Sequence, residues 1–332
     1  FFSNLRGNID DTFYEINIQT SSNKDYLKKY QVKSPLINNY SLYNSFVMLD
    51  KITDDYSLNT SFEIIEDVSK TDSDKYEFIL PSFEFNKEKY LDNTFFNSIN
   101  ITSRGNYYNY QTNINEVSLS NDLILSSSNV YSSFDTDLDI LLRNTNTYAD
   151  NSVNYKRGEN YNLLTSLFLN LKYPLVKENE NNKNSLTPLA SLRFSPNKGK
   201  NFTNQNTLIN FDQLFILNRI NNSTIESGLA TTLGLEFKNE NKLNQDFFKL
   251  GLAMNFRQNE DKDIPLSSSI GKKTSDLIGY SGININENLS FNYNFILDKD
   301  LSETNYSLVS LNYRNDKFKT SFEYLEKSNL IG

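Results

Sequence analysis

Long stretches of strict two-residue alternation constrain this chain more than anything else in it. In LATTLGLEFK, Leu229, Thr231, Leu233, Leu235 and Phe237 share one parity, and Ala230, Thr232, Gly234, Glu236 and Lys238 share the other. FKLGLAMNFR repeats the device, setting Phe248, Leu250, Leu252, Met254 and Phe256 against Lys249, Gly251, Ala253, Asn255 and Arg257. Successive side chains of an extended strand point to opposite faces, so each stretch is a ribbon with a greasy side and a polar side. Coiled into a helix, the apolar groups of YSLNTSFEI (56–64) would scatter around the whole circumference and leave no stripe to bury. The same period recurs at 14–18, 167–173, 289–297, 309–313 and 318–324. Roughly 14–16 strands are expected, most of bilayer-spanning length.

Two architectures bury such ribbons: a soluble sandwich and an antiparallel transmembrane β-barrel. Sandwich strands average about 5–6 residues, and their inner faces pack at crystal-like density. Here the spans reach ten residues or more, and Glu, Lys, Arg and Asn recur on the polar parity, which a wide wet lumen tolerates. The connections point the same way. Arg314-Asn315-Asp316-Lys317 has the chemistry of a tight hairpin turn, whereas 176–185, 195–206 and 257–269 read as long polar loops. Short turns at one end and long loops at the other are what an outer-membrane barrel shows. The fold expected is therefore all-β, an antiparallel transmembrane β-barrel. No run approaches the roughly 18 apolar residues of a membrane helix, and mean hydropathy is −0.57, but barrel strands need only half their residues apolar.

The 24 Phe and 21 Tyr fit an interfacial girdle, and equally a genome whose base composition favours Asn, Lys, Ile, Phe and Tyr codons. With no Cys and no His, every Ser–His or Cys–His nucleophile is excluded, as are most zinc sites. No catalytic residue, cofactor-binding residue or metal ligand is expected, and the chain reads as no enzyme. Interspersed charge summing to −8 argues against a nucleic-acid footprint. In FDTDLDI (134–140), Asp135, Asp137 and Asp139 lack the glycine and glutamate of a calcium loop and line one face of a strand. DYLKKYQVK (25–33) gathers Lys28, Lys29 and Lys33 among Tyr26 and Tyr30, either as a charged turn or as a rim site for lipid phosphates.

A family resemblance runs collinearly through most of the chain. Pro188, Arg193, Ser195 and Pro196 in LTPLASLRFSPNKG resemble a strand and loop of the LPS-assembly outer-membrane protein family, LptD. Asp212, Leu214, Phe215, Asn218 and Arg219 in INFDQLFILNRI resemble its next segment, and Ile225, Glu226 and Gly228 the strand that follows. Ser275, Asp276 and Gly279 are similar to a later motif, while Tyr26, Leu27, Tyr30, Leu80 and Pro81 fit early strands. The chain departs from the family at 221–224, where Asn221-Asn222-Ser223-Thr224 replaces a Gly-x-Asp-Arg turn, and in lacking the cysteines many members carry.

The resemblance implies a barrel of about 26 strands, of which residues 1–332 would be a partial one. A periplasmic β-jellyroll, the terminal strands and the lateral exit between them would lie outside these residues, since the chain has room for about 16 strands at roughly 20 residues each. Opening at Phe1-Phe2 and stopping at Leu330-Ile331-Gly332, it reads as an internal fragment or a processed piece. It further implies lipopolysaccharide as cargo, inserted into the outer leaflet of the Gram-negative outer membrane, and outer-membrane lipids as surroundings. The implied partners are a plug lipoprotein, LptE, and a periplasmic transport bridge reached through the jellyroll. A passive porin or nutrient receptor, and a secreted all-β adhesion or binding module, are the rival functions.

Overall fold

Residues 1–328 are described by the computed structural model, apart from 38, 93–94, 111–112, 200, 202, 204–206, 221–224, 242–245 and 266. The departure at 221–224 and the terminal 330–332 lie outside the described residues. Among the described residues seventeen strands make one antiparallel sheet, slightly more than the alternation predicts. They are β1 (Phe2–Ile9), β2 (Thr12–Gln19), β3 (Leu42–Ile52), β4 (Ser57–Asp67), β5 (Tyr76–Tyr90), β6 (Ser98–Tyr110), β7 (Ile114–Tyr131), β8 (Phe134–Asp150) and β9 (Gly158–Lys172). They continue as β10 (Leu175–Glu178), β11 (Asn182–Ser195), β12 (Gly228–Asn241), β13 (Asp246–Arg257), β14 (Leu277–Asn286), β15 (Leu289–Leu297), β16 (Thr304–Arg314) and β17 (Lys319–Lys327).

The chain divides into two compact units, Phe1–Leu125 with Leu141–Leu163, and Ser126–Ile140 with Leu164–Gly332. In the first, β1 to β6 pair in sequence order as a meander. In the second, β9 pairs with β11, and β11 to β17 again follow sequence order. Connections range from short to long: 132–133 joins β7 to β8, while 196–227 joins β11 to β12.

Strand parity sorts the side chains as the sequence predicts. Val47, Leu49, Phe62 and Ile64 share one face of β3 and β4 and stay exposed. Leu192, Phe194, Leu233, Leu235 and Phe256 do the same on β11 to β13. They are not buried against a second layer: Leu233 keeps 51% of its surface. On the opposite parity lie Ser61, Glu63, Arg104 and Asp122 in the first unit, and Ser191, Thr232 and Asn255 in the second. A sheet with its apolar groups outside is inverted for water and correct for lipid.

Two expectations need correction. Residues 176–185 are not a loop, because β10 and β11 pair from Leu175↔Leu186 to Glu178↔Lys183 and Asn179 N–H closes the hairpin on the Asn182 carbonyl at 2.8 Å. Their Asn, Glu and Lys side chains mark a solvated ribbon, and backbone pairing does not require apolar side chains. Residues 24–30 hold no strand either, since Tyr26–Tyr30 forms a short helix, α1. Leu27 is its one buried residue, packed in a cluster with Tyr43 and Val68.

Candidate functional site

The register of β11, β12 and β13 lays three rows across the inward face of the second unit. Leu189, Gly234 and Ala253 form the first, extended by Ile278 of β14. Ser191, Thr232 and Asn255 form the second, and Arg193, Ala230 and Arg257 the third. Apart from the arginines these are small or short side chains, which leaves room above the strands. Described residues of the two long connections, 196–227 and 258–276, fill that room.

The first row is a floor for apolar packing. Ile209, Phe211 and Leu214 from the first connection and Ile264 and Ile270 from the second join Leu189, Ala253, Ile278 and Ile296 in one buried cluster. Leu214, which lies in a 3-10 turn at Asp212–Phe215, is fully buried. Next to it, the Phe215 ring lies so close to Gly234 that a Cβ there would stand 2.6 Å from a ring carbon.

The third row holds the charge. Glu226 sits over small Ala230, between the two arginines of its row. Arg219 grips it with two prongs, Nε to Oε1 at 2.5 Å and Nη2 to Oε2 at 2.6 Å. Arg257 Nη1 donates to Oε2 at 2.9 Å, and Arg193 Nε lies 3.7 Å from Oε1. Each arginine also fastens backbone or strand. Arg193 donates to the carbonyls of Leu217 and Ile216 and stacks on the Phe168 ring, Arg219 reaches Thr232 and Asn255, and Arg257 reaches the Ser227 carbonyl and Asp261. Asp261 in turn accepts from Ser227 N–H and Oγ. The second row ties in the second connection, since Asn255 donates to the Ile270 carbonyl at 3.1 Å and its N–H to Ser275 Oγ at 2.8 Å.

Burial alone would raise the Glu226 pKa, but the arginines 219, 193 and 257 outweigh it and hold the carboxyl at about 2. A carboxylate fixed in that state has no proton to exchange near neutrality, so the cage is a fastener and not an acid–base centre. The space left beside it is about 10 Å³, room for roughly one water and no larger ligand.

Residues 1–331 match the family described as LptD, LPS transport system D. The chain belongs to the LptD family. No curated protein matches it. Among solved structures it is similar to the alcaligin outer membrane receptor FauA from Bordetella pertussis, at 9% identity and a TM-score of 0.35, covering 98% of this chain. The chain spans 61% of the length of that receptor. LptD proteins belong to the outer membrane and serve lipopolysaccharide transport. The exposed apolar parity of this LptD-family chain is accordingly its lipid side.

The family-motif residues separate by place. Arg193, Arg219 and Glu226 meet in the cage, with Leu214 and Phe215 in the floor beneath it. Ser275 and Asp276 lie in the neighbouring ring, where Asp276 N–H donates to Ser269 Oγ at 3.0 Å and its carboxylate accepts from Asn305 at 2.9 Å. Asn218 borders the cage. Gly228 opens β12 with φ of +74°, a left-handed turn that any other L-residue adopts with strain. Pro188 and Gly279 lie on the outward parity, Pro188 exposed and Gly279 under the Phe295 ring, while Pro196 and Asp212 are exposed in the first connection. Sequence reasoning missed Arg257, Thr232, Asn255 and Asp261 as members. Arg257 carries the only usable signal, an arginine closing a strand where a long loop begins. Of the aspartates of β8, Asp139 and Asp137 accept from Ser126 and Ser128 on β7, and Asp139 also attracts Arg193 of the cage.

Proposed function

We propose that the protein built on this sheet inserts lipopolysaccharide into the outer leaflet of the outer membrane, as a partial barrel (residues 1–332) of a larger one with a jellyroll before it. The single observation that supports this reading is the family match across 1–331 on a sheet whose outward parity is apolar and exposed. No bond is made or broken. The polar inward parity solvates the saccharide, while the acyl chains remain in the bilayer. The motif residues Arg193, Arg219, Glu226, Leu214, Phe215, Ser275 and Asp276 act by holding two long connections against the inner wall, which narrows the passage there. A plug lipoprotein, LptE, and the periplasmic transport bridge are the proposed partners. Depletion in cells tests the reading: loss of surface lipopolysaccharide with solute uptake intact supports it. Loss of uptake with normal surface lipopolysaccharide overturns it in favour of a porin or receptor.

A further inference from the structure

The connection between β2 and β3 is unlike the rest of the chain in charge. Residues 20–41 hold Lys24, Lys28, Lys29 and Lys33 against a single acid, Asp25, a balance of +3 in a protein whose total is −8. Helix α1 presents these groups in a particular way. Leu27 faces Tyr43 and Val68, while Tyr26 and Tyr30 are 50% and 60% exposed and Lys28, Lys29 and Lys33 are all exposed. The two tyrosine rings lie 5.0 Å apart, and the Lys29 ammonium stands 5.5 Å from the Tyr30 centroid.

The position of α1 gives these groups a meaning. By register, Tyr43 pairs with Glu66, on the same parity as Val47 with Phe62 and Ser45 with Ile64. Val47, Phe62 and Ile64 are exposed, whereas Tyr43 and Glu66 are buried. The column of outward apolar groups therefore ends where the α1 connection covers it. Beside that end, Lys75 pairs with Glu66 and stands 5.3 Å from the Tyr76 centroid, so a further lysine and tyrosine sit at the same level. Amphipathic tyrosines backed by lysines at the end of an apolar column are the chemistry of a bilayer's headgroup layer.

We propose that α1 is an interfacial anchor whose Lys28, Lys29 and Lys33 bind the phosphates of the bilayer headgroups, with Tyr26 and Tyr30 seated at the acyl boundary. The proposal rests on reading the outward parity as the lipid side. Asp25 adjoins the helix in sequence, and Asp67, which accepts from Ser69 and pairs with Lys70, also attracts Lys28, so the connection keeps a basic excess through its other lysines. Each lysine near an anionic surface gains attraction that adds to the next, and the attraction falls off within a Debye length.

The test places tryptophan reporters in the intact protein in nanodiscs of mixed phosphatidylglycerol and phosphatidylcholine, read as difference spectra against the unsubstituted protein. This chain has no tryptophan of its own. For Tyr30→Trp, quenching is expected to be several-fold stronger when phosphatidylglycerol carries the bromines than when phosphatidylcholine does. That preference is expected to disappear when Lys28, Lys29 and Lys33 are all changed to Gln. Leu49→Trp, on the apolar column, is expected to be quenched by both lipids without preference. Equal quenching of Tyr30→Trp by both lipids, or none, with Leu49→Trp still quenched, overturns the anchor and leaves the lipid-facing sheet standing. If Leu49→Trp is quenched by neither lipid, both readings fall.

Discussion

The inward faces of the two units use the same strand period to opposite ends. In the first unit the inward parity of β4 to β7 holds Glu63, Glu77, Tyr108, Tyr110 and Glu116, a network in which tyrosine hydroxyls donate to carboxylates: Tyr108 to Glu77 at 3.3 Å and Tyr110 to Glu116 at 3.1 Å. Its strongest ion pairs run from strand to strand, where Asp122 of β7 joins Arg143 of β8 and Arg104 of β6, each at 2.6 Å. In the second unit the inward parity of β11 to β13 is small at Ser191, Ala230, Thr232, Gly234 and Ala253, and the buried ion pairs centre on Glu226 of the connection, reached by Arg193 and Arg257 from the strands and by Arg219 from the connection itself. A polar face decorated with long side chains is complete in itself. A face of Gly, Ala, Ser and Thr is not, and its own connections must cover it. The lesson is that one strand period can carry a self-sufficient polar face in one unit and a floor for docked connections in the other, simply by changing side-chain size at alternate positions.

Glu226→Gln breaks that contrast most severely. It leaves three buried guanidiniums without their shared carboxylate, a loss on the order of 3–5 kcal/mol for a buried pair. Protease cleavage within 196–227 is expected to rise sharply, while the first unit keeps its protection. Cleavage spreading equally through both units would mean that the cage stabilises the sheet and not the docked connection. Leu214→Ala tests the floor instead of the charge. Removing a fully buried leucine costs about 2–5 kcal/mol. The same protease assay should show exposure of 196–227 with the ion pairs of β6 to β8 untouched.

A pH series sharpens the comparison with the smallest effect. Glu226 is depressed from 4.5 to about 2, so its contribution is fully present above about pH 4.5 and is lost as pH falls through about 2. Pepsin digestion of 196–227 is expected to remain slow at pH 4 and to accelerate between there and pH 2. Acceleration already at pH 5 would show that the carboxylate is not held by the arginines.

Much of this was legible in the sequence. The parity of 229–237 and 248–256 fixes which side chains point outward, because extended backbone admits no other arrangement. The motif residues Arg193, Arg219 and Glu226 stood out through family likeness alone, and nothing in their spacing told that they converge. Convergence depends on where a 32-residue connection folds back, and that is decided by the vacancy over Ala230 and Gly234, a property of three strands in register. For the same reason Arg257 and Asn255 read only as members of a polar parity. The hairpin at 175–186 was hidden because its ribbon is solvated on both sides and so carries no alternation.

The most direct measurement is a cysteine scan along β15, in a chain that has no cysteine. Phe291, Tyr293 and Phe295 alternate there with Asn292 and Asn294, and each would be replaced singly in the intact outer-membrane protein. A bilayer-partitioning maleimide should label positions 291, 293 and 295, and a membrane-impermeant thiosulfonate should label 292 and 294. If 291, 293 and 295 resist both reagents, those rings are packed against protein, and the lipid-facing sheet is refuted.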